Sequence, residues 1–588
     1  MGGGTRQADL QGRAVRAAVL GAAALALMSA GVLHATSFVR LTSSPFRDIY
    51  YALFAAGAIG LVWLPGLAAF LASSARRHSL AVSLSLFVLA SAMAGWAIFF
   101  VWLAWPVLGP WFGAAIYLGS LIAALRQARQ VPPASLVPIL CAALICGAYT
   151  FISLDRGVPE ENLQHAMAVR YWTTPDNLIP RLFADRFLQP TFTLDPIFDG
   201  WLLSDRPPLM TGMVVWPYAA ANPEMRGVAF HVLAVAANGL WAIGLWAFLL
   251  AVGVAVRAAA IVVLSTAASG AMFVHTVFTW PKPLTAALAF VAVVLFRCGF
   301  AKLSAAAASL SLLGHGAIVF GFPGLLPAMA SRLRRYGWRH YLAAICVAAA
   351  IYAPWVAFQT FVNPPGDRLL KWHLAGITWM DPRPAGQAIL DTYRQLALRQ
   401  FFENKLGNIR LLLGDPTYGR DLTWQPAWTD RPVRIIRAET SQKIGTAPLL
   451  LLIGSLGGLF VARVRRDPRI RLIWAMTGIS AVSYVLIEFG RDLASAAWLH
   501  TAPFTLVELW IALGALSLVL IDRTWSRAVL IANAVAFFFV WVYGVGQESA
   551  FGGVAGQLDI VMRLLALACA AGAVWLALVS PPARQDAA

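Results

Sequence analysis

Carboxylates, a few basic groups and paired prolines are concentrated between about residues 154 and 210 of an otherwise apolar chain. Asp155, Glu160, Glu161, Asp176, Asp185, Asp195, Asp199 and Asp205 lie there, eight of the 27 acidic residues in 588, together with His165 and the string Ser204-Asp205-Arg206-Pro207-Pro208. A carboxylate at a membrane surface can take a proton from an attacking hydroxyl or amine within hydrogen-bond reach, or orient that group. Glu160 and Glu161 in "GVPEENLQHAMAVRYW" (157–172) are the leading candidates. They also suit the first turn of an amphipathic helix, where the helix dipole favours negative charge without any catalytic role.

The setting of this stretch follows from composition. Sixty per cent of the residues are hydrophobic, 12% are charged and the mean hydropathy is +0.70. Soluble domains are roughly 45–50% apolar and 25% charged, so the chain reads as an all-α polytopic membrane protein. The net charge of +18 comes with 45 basic residues, of which only Lys282, Lys302, Lys371, Lys405 and Lys443 are lysine. Many of the arginines sit in short turns between apolar runs, where they act as topology determinants, so no nucleic-acid partner is implied. The five cysteines lie in or beside apolar runs and none in a long loop, so no disulfide framework or metal site is implied. There is no phosphate-binding P-loop, no G-x-S-x-G elbow and no H-E-x-x-H.

Apolar runs begin near 15, 50, 79, 108 and 135, and later ones occupy 228–255, 257–275, 283–297, 304–330, 341–360, 447–463, 472–488, 503–521, 527–545 and 559–579. At about 20 residues per span, with 304–330 broken into two short helices by Gly321, Pro323, Gly324 and Pro327, about 13 to 15 spans are expected. Arg6, Arg13 and Arg16 precede the first run, which is read as an uncleaved helix because another span follows closely. Arg76-Arg77 and Arg126 to Arg129 flank the second and fourth runs. They put both termini in the cytoplasm and two sizeable loops, 154–210 and 361–446, on the extracytoplasmic face of the cell (inner) membrane. The resulting division is a five-helix module (1–153), a core with the first loop (154–360), the second loop (361–446), with helices expected near 384–412, and C-terminal spans (447–588).

Basic residues at the mouths of these runs are candidate anion ligands. Arg206 precedes the rigid Pro207-Pro208 pair, and Lys282 stands between Pro281 and Pro283 in "FTWPKPLTAAL" (278–288). Lys282 could hold a lipid phosphate as a point charge or snorkel to the interface. His315, flanked by Gly314 and Gly316, is either a core histidine or a phosphate ligand. In "DRLLKWHLAG" (367–376), Lys371 and His373 accompany Trp372, with further aromatics following. Such rings suit sugar stacking and also a membrane interface.

Taken in order, these motifs resemble the membrane-embedded glycosyltransferases of the C superfamily (GT-C fold) that use polyprenyl-phosphate sugars, particularly protein O-mannosyltransferases and lipid A aminoarabinose transferases. The matching elements are Glu160-Glu161, then Asn177-Leu178-Ile179-Pro180-Arg181-Leu182, then Arg206-Pro207-Pro208-Leu209, with "FTWPKPL" and "SLLGHGAIVFGFPGLLPA" extending the likeness to about residue 330. The family commonly has Asp first in the acidic pair and places this loop after its first span, so Asp155 and Asp176 stay as reserves and the first five helices read as an added module.

The resemblance implies transfer of a sugar from a polyprenyl-phosphate donor to a lipid, glycan or protein acceptor at the extracytoplasmic face, within membrane lipids. Glu160 or Glu161 would activate the acceptor, and Arg206, Lys282, His315, Lys371 and His373 would bind substrate and phosphate. Carboxylates could accommodate a divalent metal, although no ligand spacing requires one. The alternatives are a lipid-linked glycan transporter or flippase, and a glycan polymerase or ligase. A transporter should carry ionisable residues deep in several helices, whereas these runs are nearly free of charge.

Overall fold

The computed structural model describes residues 20–21, 47–154, 175–197, 200–413, 449–490, 503–543 and 560–579. All regular structure among them is helical. The first group is α1 (Arg47–Ala75), α2 (Leu80–Ala104), α3 (Gly109–Gln127) and α4 (Val137–Leu154). Then come α5 (Ile179–Phe187), α6 (Leu209–Ala219), α7 (Arg226–Asn238), α8 (Leu240–Ala251), α9 (Val256–Ala267) and α10 (Gly270–Val277). They lead into α11 (Lys282–Arg297), α12 (Ala301–Gly314), α13 (Phe322–Leu333) and α14 (Trp338–Ala357). Three helices follow in the second loop, α15 (Arg368–Ala375), α16 (Ala385–Gln395) and α17 (Leu398–Leu413). The chain closes with α18 (Leu449–Phe460), α19 (Ala462–Arg465), α20 (Pro468–Ile487), α21 (Phe504–Ile521), α22 (Thr524–Phe537) and α23 (Ile560–Val579).

Eight segments among the described residues are long and apolar enough to cross a membrane: Ile49–Ala75, Leu80–Ala104, Pro133–Leu154, Pro223–Ala251, Trp338–Val362, Pro468–Ile487, Phe504–Ile521 and Ile560–Leu578. A ninth is added if α9 and α10, bent by 71° at Ala268-Ser269, count as one span. The larger number expected from sequence counts apolar length alone. Two of those runs are helices too short to cross: α11 has 16 residues and α12 has 14. The run near 15 and the proposed helix at 157–172 lie outside the described residues, apart from Leu20-Gly21. The helical stretch expected near 384–412 is two helices, α16 and α17, separated at Leu396-Ala397.

The helices form a bundle whose centre is the enclosed stretch 227–249 of the segment Pro223–Ala251, while Trp338–Val362 and Ile560–Leu578 present most of their surface outward. α11 lies against α8, α12, α13 and α21. The short connection at Cys298 to Phe300 makes α11 and α12 antiparallel neighbours, which brings Lys282 and His315 to the same end. Indole N–H groups brace the bundle by donating to helix carbonyls, Trp63 Nε1 to Ala236 O (2.8 Å) and Trp96 Nε1 to Ile351 O (3.0 Å). In an apolar solvent such bonds have no competition from water.

α6, which begins just after Arg206-Pro207-Pro208, is pressed onto α2 at a pair of glycines. A Cβ on Gly212 would collide with the Gly95 carbonyl oxygen and stand 2.7 Å from Phe99 Cβ. Small residues permit this approach. Gly212→Val is expected to lower stability by about 1–3 kcal/mol through overpacking. A thermal unfolding scan of the purified protein checks this, and an unchanged midpoint would contradict the close contact.

Candidate functional site

The segment Trp201 to Pro208 is stitched to the end of α14 and the start of α15. α14 runs into a single π-helical turn, Phe358–Val362, a feature frequent at functional positions. From there Gln359 Nε2 donates to Ser204 O (2.9 Å) and Gly366 O (2.6 Å), and Asn363 Oδ1 accepts the Ser204 N–H (3.0 Å). Asp205 accepts the backbone N–H of Leu202 (2.9 Å) and of Arg368 (3.2 Å), tying the first loop to the second. Burial pushes its carboxyl above the usual range, against the opposing pull of those N–H groups and of the Arg368 and Arg206 charges. Both guanidiniums lie over Trp201, Arg368 at 4.0 Å and Arg206 at 4.2 Å from the ring centroid.

A second indole, Trp280, gathers the other cations. Arg206 lies 5.5 Å and the Lys282 ammonium 4.8 Å from its centroid, close enough for cation–π attraction. Trp280 is delivered by a tight turn in which Thr279 takes a φ of 63°, rarely adopted by a β-branched residue. Asn238, at the end of α7, holds this turn by donating to Thr276 O (3.1 Å) and Trp280 O (2.8 Å). Arg206 and Lys282 are both buried, and Lys282 opens α11.

His315 caps the break between α12 and the 3-10 turn Gly316–Phe320. Its ring meets Trp280 at 5.7 Å between centroids, edge to face. Nδ1 accepts the Ala317 N–H (3.2 Å), which leaves the proton of the neutral ring on Nε2. Burial holds the imidazole well below its ordinary pKa, helped by the Lys282 and Arg206 charges. His315 therefore offers a hydrogen bond, whereas Arg206 and Lys282 offer charge.

The second loop contributes α15. Lys371 is buried and engaged locally, its ammonium 2.7 Å from Asp367 Oδ1 and donating to Asp381 O (2.8 Å). Arg383 completes the arrangement by gripping the Asp381 carboxylate (2.6 Å). His373 lies 3.1 Å through Nδ1 from Glu488 Oε2 at the end of α20, with Phe320 (5.4 Å) and Trp372 (6.2 Å) against its ring. Trp372 in turn contacts Trp201 at 6.1 Å. Contacts thus run continuously from Arg206 through Trp201 and Trp372 to His373, and from Arg206 through Trp280 to His315.

Of the residues singled out from sequence, Arg206, Lys282, His315 and His373 come together. Lys371 is adjacent but belongs to the packing of its own loop. Glu160, Glu161 and the reserve Asp155 lie outside the described residues, as does the side chain of Asp176. The Pro180-Arg181 stretch builds α5: Pro180 O accepts from Thr211 Oγ1 (3.0 Å), and Arg181 lies 3.7 Å from Asp185. Sequence reasoning missed Glu488, Lys405 and Asn408. The available signal was Glu488 itself, the one acidic residue in 468–490. No group of three or more His, Cys, Asp or Glu among the described residues could hold a metal ion.

Two consequences are measurable. Replacing Asn238 by Ala leaves the buried Trp280 carbonyl short of a donor and should cost about 1–3 kcal/mol, read as a lower unfolding midpoint; no change would show that the turn holds itself. Arg383 holds the Asp381 carboxyl at about 2, below the roughly 3.9 of a free carboxylate. The stabilisation is therefore complete above about pH 4 and is lost as pH falls through about 2. Pepsin should cut between Gly376 and Pro384 in the wild type only near the lower end of that window, and in Asp381→Asn already near pH 4. Equal susceptibility of the two would contradict the pairing.

Comparison with known proteins assigns nothing further, since no family model, curated protein or solved structure matches the chain.

Proposed function

We propose that the protein is an integral inner-membrane glycosyltransferase that moves a sugar from a polyprenyl-phosphate donor to an acceptor at the extracytoplasmic face, with both termini in the cytoplasm. One observation carries this reading: buried Arg206 and Lys282 converge on Trp280, with the neutral His315 N–H donor beside them, at one end of an apolar helical bundle. Two cations and a neutral donor next to a lipid-soluble scaffold suit a phosphate on a lipid tail. As the bond from the sugar C1 to the phosphate oxygen breaks, negative charge grows on the leaving group, and fixed cations in a low-dielectric setting stabilise it. Trp201, Trp280 and Trp372 supply flat faces on which a sugar ring can stack. Glu160 or Glu161 would orient the acceptor nucleophile.

A transport reading also has an observation in its favour. Glu508, in the span Phe504–Ile521, is fully buried, and neither carboxylate oxygen has a hydrogen-bond partner among the described residues. Intramembrane carboxyls of this kind occur in transport pathways. Only a transferase should change the covalent state of the donor.

Purified protein supplied with radiolabelled polyprenyl-phosphate sugars and membrane extract tests the proposal. The wild type is expected to move label onto an acceptor, Lys282→Met and Arg206→Gln each to lower kcat/KM by about 100-fold or more, and Glu160→Gln or Glu161→Gln to lower kcat. Label that crosses a proteoliposome membrane still attached to its lipid would replace transfer by transport.

A further inference from the structure

His373 is clamped at both ends. Its carbonyl accepts the Phe489 N–H (2.9 Å), while Nδ1 lies 3.1 Å from Glu488 Oε2. Glu488 is itself fixed, because its carbonyl accepts Lys405 Nζ (2.6 Å) and Asn408 Nδ2 (2.9 Å) from α17. Yet His373 Nε2 has no hydrogen-bond partner among the described residues, although the side chain is only 7% exposed. An unpaired buried nitrogen is costly, so a histidine serving only to tie α15 to α20 would gain by pairing it. A carboxylate on Nδ1 with Nε2 left open is the arrangement by which proteins set an imidazole to accept a proton.

We propose that His373 and Glu488 form the proton-accepting dyad of the glycosyl transfer, an inference that rests on the reading above. The acceptor hydroxyl attacks the sugar C1 and gives its proton to His373 Nε2 as the new C1–O bond forms. The bond from C1 to the phosphate oxygen breaks, and its electron pair stays with the lipid phosphate beside Arg206 and Lys282. The imidazolium so formed is stabilised by the Glu488 carboxylate. Glu488 is a positioning residue, because it acts through the imidazole.

Other charges bear on the pair. Lys405 on α17 and Lys282 on α11 both act on Glu488, whose carboxyl burial pushes above the usual range. Tyr393 on α16 feels Glu488, His315 feels His373, and Lys371 shares the helix of His373.

Initial rates of the full chain on polyprenyl-phosphate sugars, measured from about pH 5 to about 9, test the dyad, with binding of the product polyprenyl phosphate as a check on folding. His373→Gln should lower kcat by about 100-fold or more and leave polyprenyl-phosphate affinity unchanged. Glu488→Gln should keep part of the rate and move the acid limb of the pH profile to lower pH, because the group that stabilises the imidazolium is gone. A His373→Gln enzyme within about threefold of wild type, with the same pH profile, overturns the proposal. If His373→Gln no longer binds polyprenyl phosphate, the Glu488→Gln profile decides, and an unmoved acid limb overturns the dyad. Failure of the wild type to transfer any donor sinks the transferase reading and the dyad with it, whereas transfer without these pH effects sinks the dyad alone.

Discussion

Positive charge withdrawn from water beside lipid has to be paired, stacked or discharged, and the arrangement of this protein around its site follows from that constraint. All three solutions are present. Lys371 is paired with Asp367, Arg206 and Arg368 are stacked on Trp201, and His315 is held neutral by burial. Lys282 sits against Trp280 at the first turn of α11. The bundle therefore keeps two kinds of group side by side, cations with aromatic support and a neutral donor, which together match a phosphate ester better than either would alone.

Holding that mixture in place requires backbone that ordinary spans do not provide. The left-handed Thr279, the break at His315 and the π turn at Phe358–Val362 each interrupt a helix where it meets the site. Each interruption is tied by a side chain: Asn238 donates to the carbonyls of Thr276 and Trp280 at the first, His315 Nδ1 accepts the Ala317 N–H at the second, and Gln359 with Asn363 turns the third into a brace for Ser204. Irregular backbone at membrane depth survives only under such compensation. The Gln359, Asn363 and Asp205 bonds join the two loops, so that Arg206, Lys282 and the His373–Glu488 pair lie in one neighbourhood.

Much of the site was legible in one dimension because polar residues at the ends of apolar runs stand out. Arg206, Lys282, His315 and His373 were all visible in that way, and the helical, membrane-spanning character was fixed by composition. The number of spans among the described residues was not, since apolar length carries no information about where α11 and α12 stop. Nor was Glu488 visible as a partner: it lies 115 residues from His373, and a lone carboxylate after an apolar run looks like an interfacial residue. Lys371 was visible in the same way, and its contacts with Asp367 and the Asp381 carbonyl, which depend on the folded loop, were not.

The most direct measurement is an experimental structure of the protein with polyprenyl phosphate bound. The phosphorus should lie within about 5 Å of both the Lys282 ammonium and the Arg206 guanidinium, with His315 Nε2 donating to a phosphate oxygen. A phosphate held at another end of the bundle, away from Arg206 and Lys282, would contradict the account.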